Sequence, residues 1–411
     1  MTISKKDANY KKASDVFNIK NKELEFLIPV FKKKSKLVPA IDPAYQFKAE
    51  TLIPVLWALV NNKKAWLSGH TGTGKSTLIA QVCAHLNWPL IRVNFDSEIS
   101  RMDLVGRDTL KKDKDGVTIS EFVDGILPQA LQKRCVLLCD EVDFIRPDVA
   151  YVFQRALEDE GLLISEDGGR LVEPHPDFRI VATANTQGQG DDFGIYQGAR
   201  AQSMAFLDRF TVWINCDYLE EKQERALVSD LVPDVSTDLL DQIMNYTREH
   251  REAFGSLKVS QPLSPRGIIA LAEGAVFREE HNDNPVLASA TTCLLNKANK
   301  SDKNVLVGIL DRVAKKKVDK KAEAAKKAKE DKVKKAAQKK AKDAAMDKIA
   351  EARKAHEIEL EAMLAEAQKS SCALIQKRGI HYVLLWKKRQ RLWRWRLRWR
   401  LQWRWQQLEL E

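Results

Sequence analysis

Between residues 50 and 216, short apolar runs alternate with stretches in which apolar positions recur every three or four residues. Ala65–Ser68 (AWLS), Leu90–Asn94 (LIRVN), Val136–Cys139 (VLLC), Ile180–Ala184 (IVATA) and Thr211–Asn215 (TVWIN) read as strands. Thr77–Leu86 (TLIAQVCAHL) has the spacing of an amphipathic helix, and Pro147–Glu160 opens on Pro-Asp and stops before Gly161, a helix start and stop. The alternation predicts a parallel α/β sheet. Leu162–Val172 places two apolar runs around Asp-Gly-Gly, which predicts a β-hairpin inserted in that core.

Strand character fades after residue 219. Residues 219–300 read as several helices, with Pro262-Leu263-Ser264-Pro265 as a break before one of them. From Asp311 to Ser370 the chain is mostly Ala, Lys, Glu and Asp, which predicts a charged helix about 90 Å long if continuous at 1.5 Å per residue. The expected organisation is therefore an N-terminal segment (1–48), an α/β core (49–218), a helical lid (219–305), a Lys/Ala-rich helix or coiled coil (306–370) and a basic Arg/Trp-rich tail (371–411).

Charge changes the picture only once it is located. The net charge of +11 comes from the end of the chain: residues 1–310 hold 38 Lys/Arg against 43 Asp/Glu, and residues 311–411 hold 30 against 14. A basic total is thus no argument that the globular part binds nucleic acid. The six cysteines form no C-x-x-C pair and sit mostly in apolar segments, as buried free thiols do, and His70, His85 and His175 are scattered rather than clustered as metal ligands. No run of eighteen apolar residues and no apolar leader is present, so a cytoplasmic protein without a transmembrane segment is expected.

The chemistry concentrates at two places. Gly69-His70-Thr71-Gly72-Thr73-Gly74-Lys75-Ser76 fits G-x-x-x-x-G-K-[ST], between a strand and a helix that continues through Thr77. Backbone N–H groups and the helix dipole there converge on a spot suited to the phosphates of ATP; Lys75 would reach the β/γ-phosphates and Ser76 would ligate Mg²⁺. About sixty residues on, the apolar strand before Asp140-Glu141 delivers two carboxylates, with Asp140 assigned to the metal and Glu141 to the base that polarises water. Alone, such a pair is a solvated strand end. Asn185 closes the strand ending at Ala184 and either orients the lytic water or simply starts a turn. Arg209, before the last strand, could neutralise charge on a neighbouring subunit's γ-phosphate, and Arg266, at a helix start, could lean over the nucleotide of its own chain; each could equally be a surface ion pair.

In that order, GHTGTGKS, CVLLCDE, the strand into Asn185, LDRF and LSPRG resemble the AAA+ ATPases, with a looser likeness to magnesium-chelatase motors and MoxR-type ATPases, whose cores carry extra hairpins. IDPAYQF (41–47), LNWPLIRVNFDSEISRMDLVGRD (86–108), EFVDGILPQAL (121–131), RPDVAYVFQRALE (146–158) and EPHPDFRIVATANTQGQGD (173–191) look like the ATPase subunit of aerobic cobaltochelatase, the CobS family. The resemblance implies an AAA+ P-loop core with a five-stranded parallel sheet, inserted hairpins and a helical lid. It also implies a homo-oligomeric ring, a hexamer, with ATP between subunits. Lys75, Ser76, Asp140, Glu141, Asn185 and Arg266 would act in cis, while Arg209, with Arg200 as second candidate, would serve the adjacent site. The implied partners are an adhesion-domain protein and a large subunit holding the corrin ring, into which hydrolysis drives Co²⁺. A MoxR-like remodeller of another protein or nucleoprotein complex is the alternative.

The C-terminus departs from the family pattern. From Trp393 to Trp405, Trp or Leu fills every odd position and Arg nearly every even one. Residues 311–370 fit a solvated coiled coil or spacer, or, with the tail, an arm contacting nucleic acid through lysine–phosphate pairs and tryptophan stacking. The two-residue period of 392–405 is also what a short nucleotide repeat gives when translated out of frame, or a strand with Trp on one face and Arg on the other.

Overall fold

The computed structural model describes residues 7–378 except 97, 113, 192 and 193, together with 395 and 399. The Arg/Trp alternation therefore lies outside the described residues apart from Trp395 and Trp399. The chain divides into residues 1–318 and residues 319–411.

The first unit opens with β1 (Ala8–Lys12), α1 (Ala13–Phe17) and β2 (Leu27–Phe31), the strands pairing antiparallel. The core follows: α2 (Ala49–Val60), β3 (Ala65–Ser68), α3 (Lys75–Leu86), β4 (Leu90–Asn94), α4 (Arg101–Val105), the hairpin of β5 (Gly106–Lys112) and β6 (Thr118–Asp124), and α5 (Ile126–Leu131). Next come β7 (Val136–Asp140), α6 (Pro147–Leu157), the hairpin of β8 (Leu162–Ile164) and β9 (Arg170–Val172), β10 (Arg179–Ala184), α7 (Met204–Asp208) and β11 (Val212–Asn215).

Strands β11, β3, β10, β7 and β4 form, in that order, one wholly parallel sheet. Every residue of β3, β7 and β10 is buried, which is why these strands read as near-continuous apolar runs. One face packs against α4, α5 and α6 through residues such as Phe95, Leu127, Val149 and Phe153. The other packs against α2 and α3, and the N-terminal hairpin adds Phe17, Ile28 and Phe31 to that layer. At roughly 1.5–3 kcal/mol for each fully buried Leu, Ile or Phe, these two layers hold the sheet rigid. Because β10 lies between β3 and β7, the loops leaving their carboxyl ends meet at one edge, where ligands sit in open parallel sheets.

Helices α8 (Glu221–Leu231), α9 (Thr237–Gly255), α10 (Pro265–Arg278) and α11 (Pro285–Cys293) share a separate core around Ile243, Tyr246, Ile268 and Leu271. The last helix, α12 (Lys300–Arg378), contributes Leu306, Ile309, Leu310 and Val313 to it. Within residues 319–411, the described side chains from 334 to 359 are all exposed. Among the described residues, no helix is long and apolar enough to cross a membrane.

All five strand expectations hold or shift by one residue at one end, and the differences are local. The fourth strand starts at Arg179 rather than Ile180, because the Arg179 side chain turns inward and donates to the carbonyls of Leu59, Pro176 and Phe178. Helix α6 ends at Leu157 instead of Glu160, since Asp159 adopts φ +62° and breaks the helical path. The β5–β6 hairpin is a further inserted hairpin of the kind the family resemblance implies, though no residue pattern located it, and the pairing of β1 with β2 was not marked in the sequence either.

Candidate functional site

Between β3 and α3 the loop at 69–74 can exist only with glycine at its first position. Gly69 has φ +152°, and a Cβ there would lie 2.1 Å from the Cys216 carbonyl oxygen. The chain then turns into α3 at Lys75, so the N–H groups of that first turn face a polar cavity of about 300 Å³. The cavity is lined by Thr71, Gly72, Gly74, Lys75, Ser76 and Thr77 from the loop and helix, by Asp140 and Glu141 after β7, by Asn185 after β10, and by Arg266 from α10.

Lys75 is buried and its ammonium donates to Gly69 O at 2.6 Å, His70 O at 3.1 Å and Asn185 Oδ1 at 3.1 Å. Desolvation pulls its pKa below the ordinary lysine value. Ser76 Oγ donates to Asp140 Oδ1 at 2.6 Å, and the Thr183 hydroxyl reaches the same oxygen. Two hard oxygen donors thus stand side by side, the kind Mg²⁺ takes, so the residues fit that ion. Glu141 has φ +58°, a conformation that non-glycine residues hold at a cost and that gathers at functional sites. Its surface is exposed, yet desolvation raises its carboxyl above the ordinary value, with Asp140 and Asp143 adding to the effect.

A second, mostly apolar cavity of about 180 Å³ adjoins the first at Gly72, Gly74 and Thr77. Its walls include Tyr45, Leu78, Cys216, Leu227 and Leu231, the mostly apolar lining of a site for a planar base. Thr73 belongs to this side of the loop. His70 stacks between the rings of Tyr196 and Tyr218 and meets Phe254 of α9 edge-on, which ties the loop to the helical domain.

Arg209 and Arg200 line neither cavity. Arg209 pairs with Glu158 Oε1 at 2.5 Å, and the Arg200 backbone N–H donates to Asp143 O at 2.8 Å.

A family description, the AAA domain of the dynein-related subfamily, matches residues 65–210. The aerobic cobaltochelatase subunit CobS of Sinorhizobium sp. is 41% identical over 265 residues, 64% of this chain and 79% of that one. The chain belongs to the CobS/MoxR group of AAA+ ATPases. More distant likenesses include the gas vesicle ATPase GvpN of Haloferax mediterranei, 27% identical over 59% of this chain and 71% of that one. An uncharacterised protein of Staphylococcus haemolyticus is 26% identical over 53% and 80% respectively. As a member of this AAA+ group the protein is an ATPase, of a family that binds nucleotide.

Sequence reasoning missed two residues of this AAA+ site. Arg92 on β4 lines the polar cavity and pairs with Asp140 Oδ2. Asp143 is fully buried; its Oδ2 accepts from the backbone N–H of Asn185 at 2.9 Å and of Thr186 at 3.1 Å, while Oδ1 has no partner. Desolvation raises the Asp143 carboxyl, against those two N–H bonds. The available signal was the third acid of Asp140-Glu141-Val142-Asp143, which reads in sequence as one more solvated loop residue.

Proposed function

We propose that this chain is the motor subunit of an ATP-dependent metal chelatase, working as a hexameric ring that drives Co²⁺ into a corrin ring held by a large partner subunit, alongside an adhesion-domain partner. The observation that carries this reading is the 41% identity extending over 79% of a cobaltochelatase subunit.

In this reading residues 49–218 hold ATP and residues 219–305 close over it. The N–H groups of 69–77 and the Lys75 ammonium bind the phosphates, and Ser76 and Asp140 would hold Mg²⁺, which would supply neutralisation of phosphate charge. Glu141 takes the proton of the attacking water, and its raised pKa makes it a stronger base than an ordinary carboxylate. The Asn185 amide orients that water. Arg266 contacts the phosphates of its own chain, and Arg209, or else Arg200, stabilises the transferring phosphoryl group in the next subunit.

Coexpression with a candidate adhesion-domain protein and a corrin-binding subunit, followed by assay of Co²⁺ insertion with and without ATP, tests the assignment. ATP-dependent insertion is expected; rings that hydrolyse ATP without inserting metal would remove it.

A second reading, a MoxR-like remodeller of another protein or nucleoprotein complex, draws on the exposed charged helix at 334–359. It expects deletion of residues 311–411 to abolish salt-sensitive partner capture while basal ATPase persists.

A further inference from the structure

Arg92 is an exposed cation whose position on the sheet edge puts it over the polar cavity. On the edge strand β4 it shares a face with Leu90, its register partner on β7 is Leu138, and all three line the polar cavity. Asp140 lies two residues beyond Leu138 on β7, the diagonal neighbour that a long side chain reaches across paired strands. There the guanidinium pairs with Asp140 Oδ2, while its Nε donates to Asn94 Oδ1 at 3.0 Å. The side chain keeps 54% exposure, so rotation about its own bonds is enough to move it from the carboxylate. Its charge is also felt at Glu141, where it opposes the desolvation of that carboxyl.

The two cavities fix a direction. They share Gly72, Gly74 and Thr77, whereas Arg92, Leu138, Asp140 and Glu141 line only the polar one. A nucleotide with its base in the apolar cavity would run its phosphates past the loop into the polar cavity, within the reach of Arg92 on its far wall. Guanidinium binds a phosphate through two parallel N–H···O bonds, whereas Asp140 offers it Oδ2 while Oδ1 already accepts from Ser76 and Thr183.

Resting on the ATPase site proposed above, the geometry points to Arg92 as a further substrate-contacting residue: its guanidinium exchanges Asp140 for the terminal phosphate of ATP, a contact ADP cannot offer. It adds a contact that distinguishes substrate from product within one chain.

The test is titration of fluorescent ATP and ADP analogues into Glu141→Gln protein with and without Arg92→Ala, in Mg²⁺ and in EDTA. Arg92→Ala is expected to weaken ATP at least tenfold in both media and to leave ADP within twofold. Equal losses for both nucleotides, or unchanged ATP affinity, overturn the inference. A loss seen in Mg²⁺ but absent in EDTA also overturns it, because Arg92 would then only orient Asp140 for the metal. Should Arg92→Ala melt early, Arg92→Lys decides: it keeps the charge without the fork and is expected to lose ATP affinity threefold or more with ADP unchanged. If Glu141→Gln protein with Arg92 intact binds neither analogue, the nucleotide site itself is refuted, a result distinct from the loss of ATP preference alone.

Discussion

Ser76 Oγ and Asp140 Oδ1 stand 2.6 Å apart across 64 residues of sequence. One lies in the first turn of α3 and the other closes β7, so their meeting depends on the sheet order rather than on local geometry. Asp140→Asn keeps the shape and removes the charge. Mg²⁺-dependent strengthening of ATP binding is expected to fall roughly 10–100-fold, while binding in EDTA changes little. Calorimetric titration in the two media checks this, and an unchanged Mg²⁺ effect would detach Asp140 from the metal.

Glu141→Gln removes the base and keeps the hydrogen-bonding size. Hydrolysis is expected to drop roughly 10²–10⁴-fold with ATP affinity retained, giving protein that holds uncleaved ATP. Steady-state phosphate release and the nucleotide content of purified protein read the two effects separately. Equal turnover by the variant would show that the base is another group.

Arg209 is tied to Glu158 by a partly exposed ion pair, which contributes at most about 1 kcal/mol to stability. Arg209→Ala should therefore fold normally and lose roughly 10³-fold in turnover if the residue serves a neighbour. Mixing it with Glu141→Gln subunits should restore part of the activity, since some interfaces then pair an intact Glu141 with an intact Arg209. No recovery on mixing would confine Arg209 to its own chain.

His250 is fully buried in α9; its Nε2–H donates to Gln261 O at 2.9 Å and its Nδ1 accepts from Tyr246 Oη at 3.0 Å. Burial lowers its pKa below the ordinary 6.5, so between the two values the unfolded chain binds a proton that the folded chain refuses. Stability linked to this group is present above about pH 6.5 and is lost as pH falls below it. Denaturant melts from pH 7.5 to 5 should show that decline, and His250→Gln should flatten it. An identical slope in the variant would assign the decline elsewhere.

What the sequence made legible follows from how strongly burial constrains a segment. β3, β7 and β10 are covered on both faces, so their residues are apolar without interruption and their ends stand out. The β5–β6 hairpin is the opposite case: nearly every position of Thr118–Asp124 is exposed, no period of two survives, and only cross-strand pairing marks it as a sheet. The loop and the Asp140-Glu141 pair were legible because their chemistry restricts residue type. Arg92 was not, because one cation in Leu90–Asn94 looks like the wet side of an edge strand, and only the neighbouring strand supplies Asp140. The apolar cavity escaped for a similar reason: its walls come from residues 42–51, 72–78, 216–231 and 265, which no linear pattern joins.

The segment before α2 is fastened to the rest of the fold at both its ends. Gln81 holds the backbone at Ala40 and Asp42 through bonds of 3.2 and 2.9 Å, and Lys48 donates to Tyr218 O at 2.6 Å. Tyr45 lies between these two anchors, as a wall of the apolar cavity. A clone trimmed to begin at residue 49, the boundary that strand and helix patterns suggest, would thus lose the Tyr45 wall together with the Phe17, Ile28 and Phe31 packing behind α2 and α3, and a weak product of such trimming would report on missing masonry rather than on faulty chemistry.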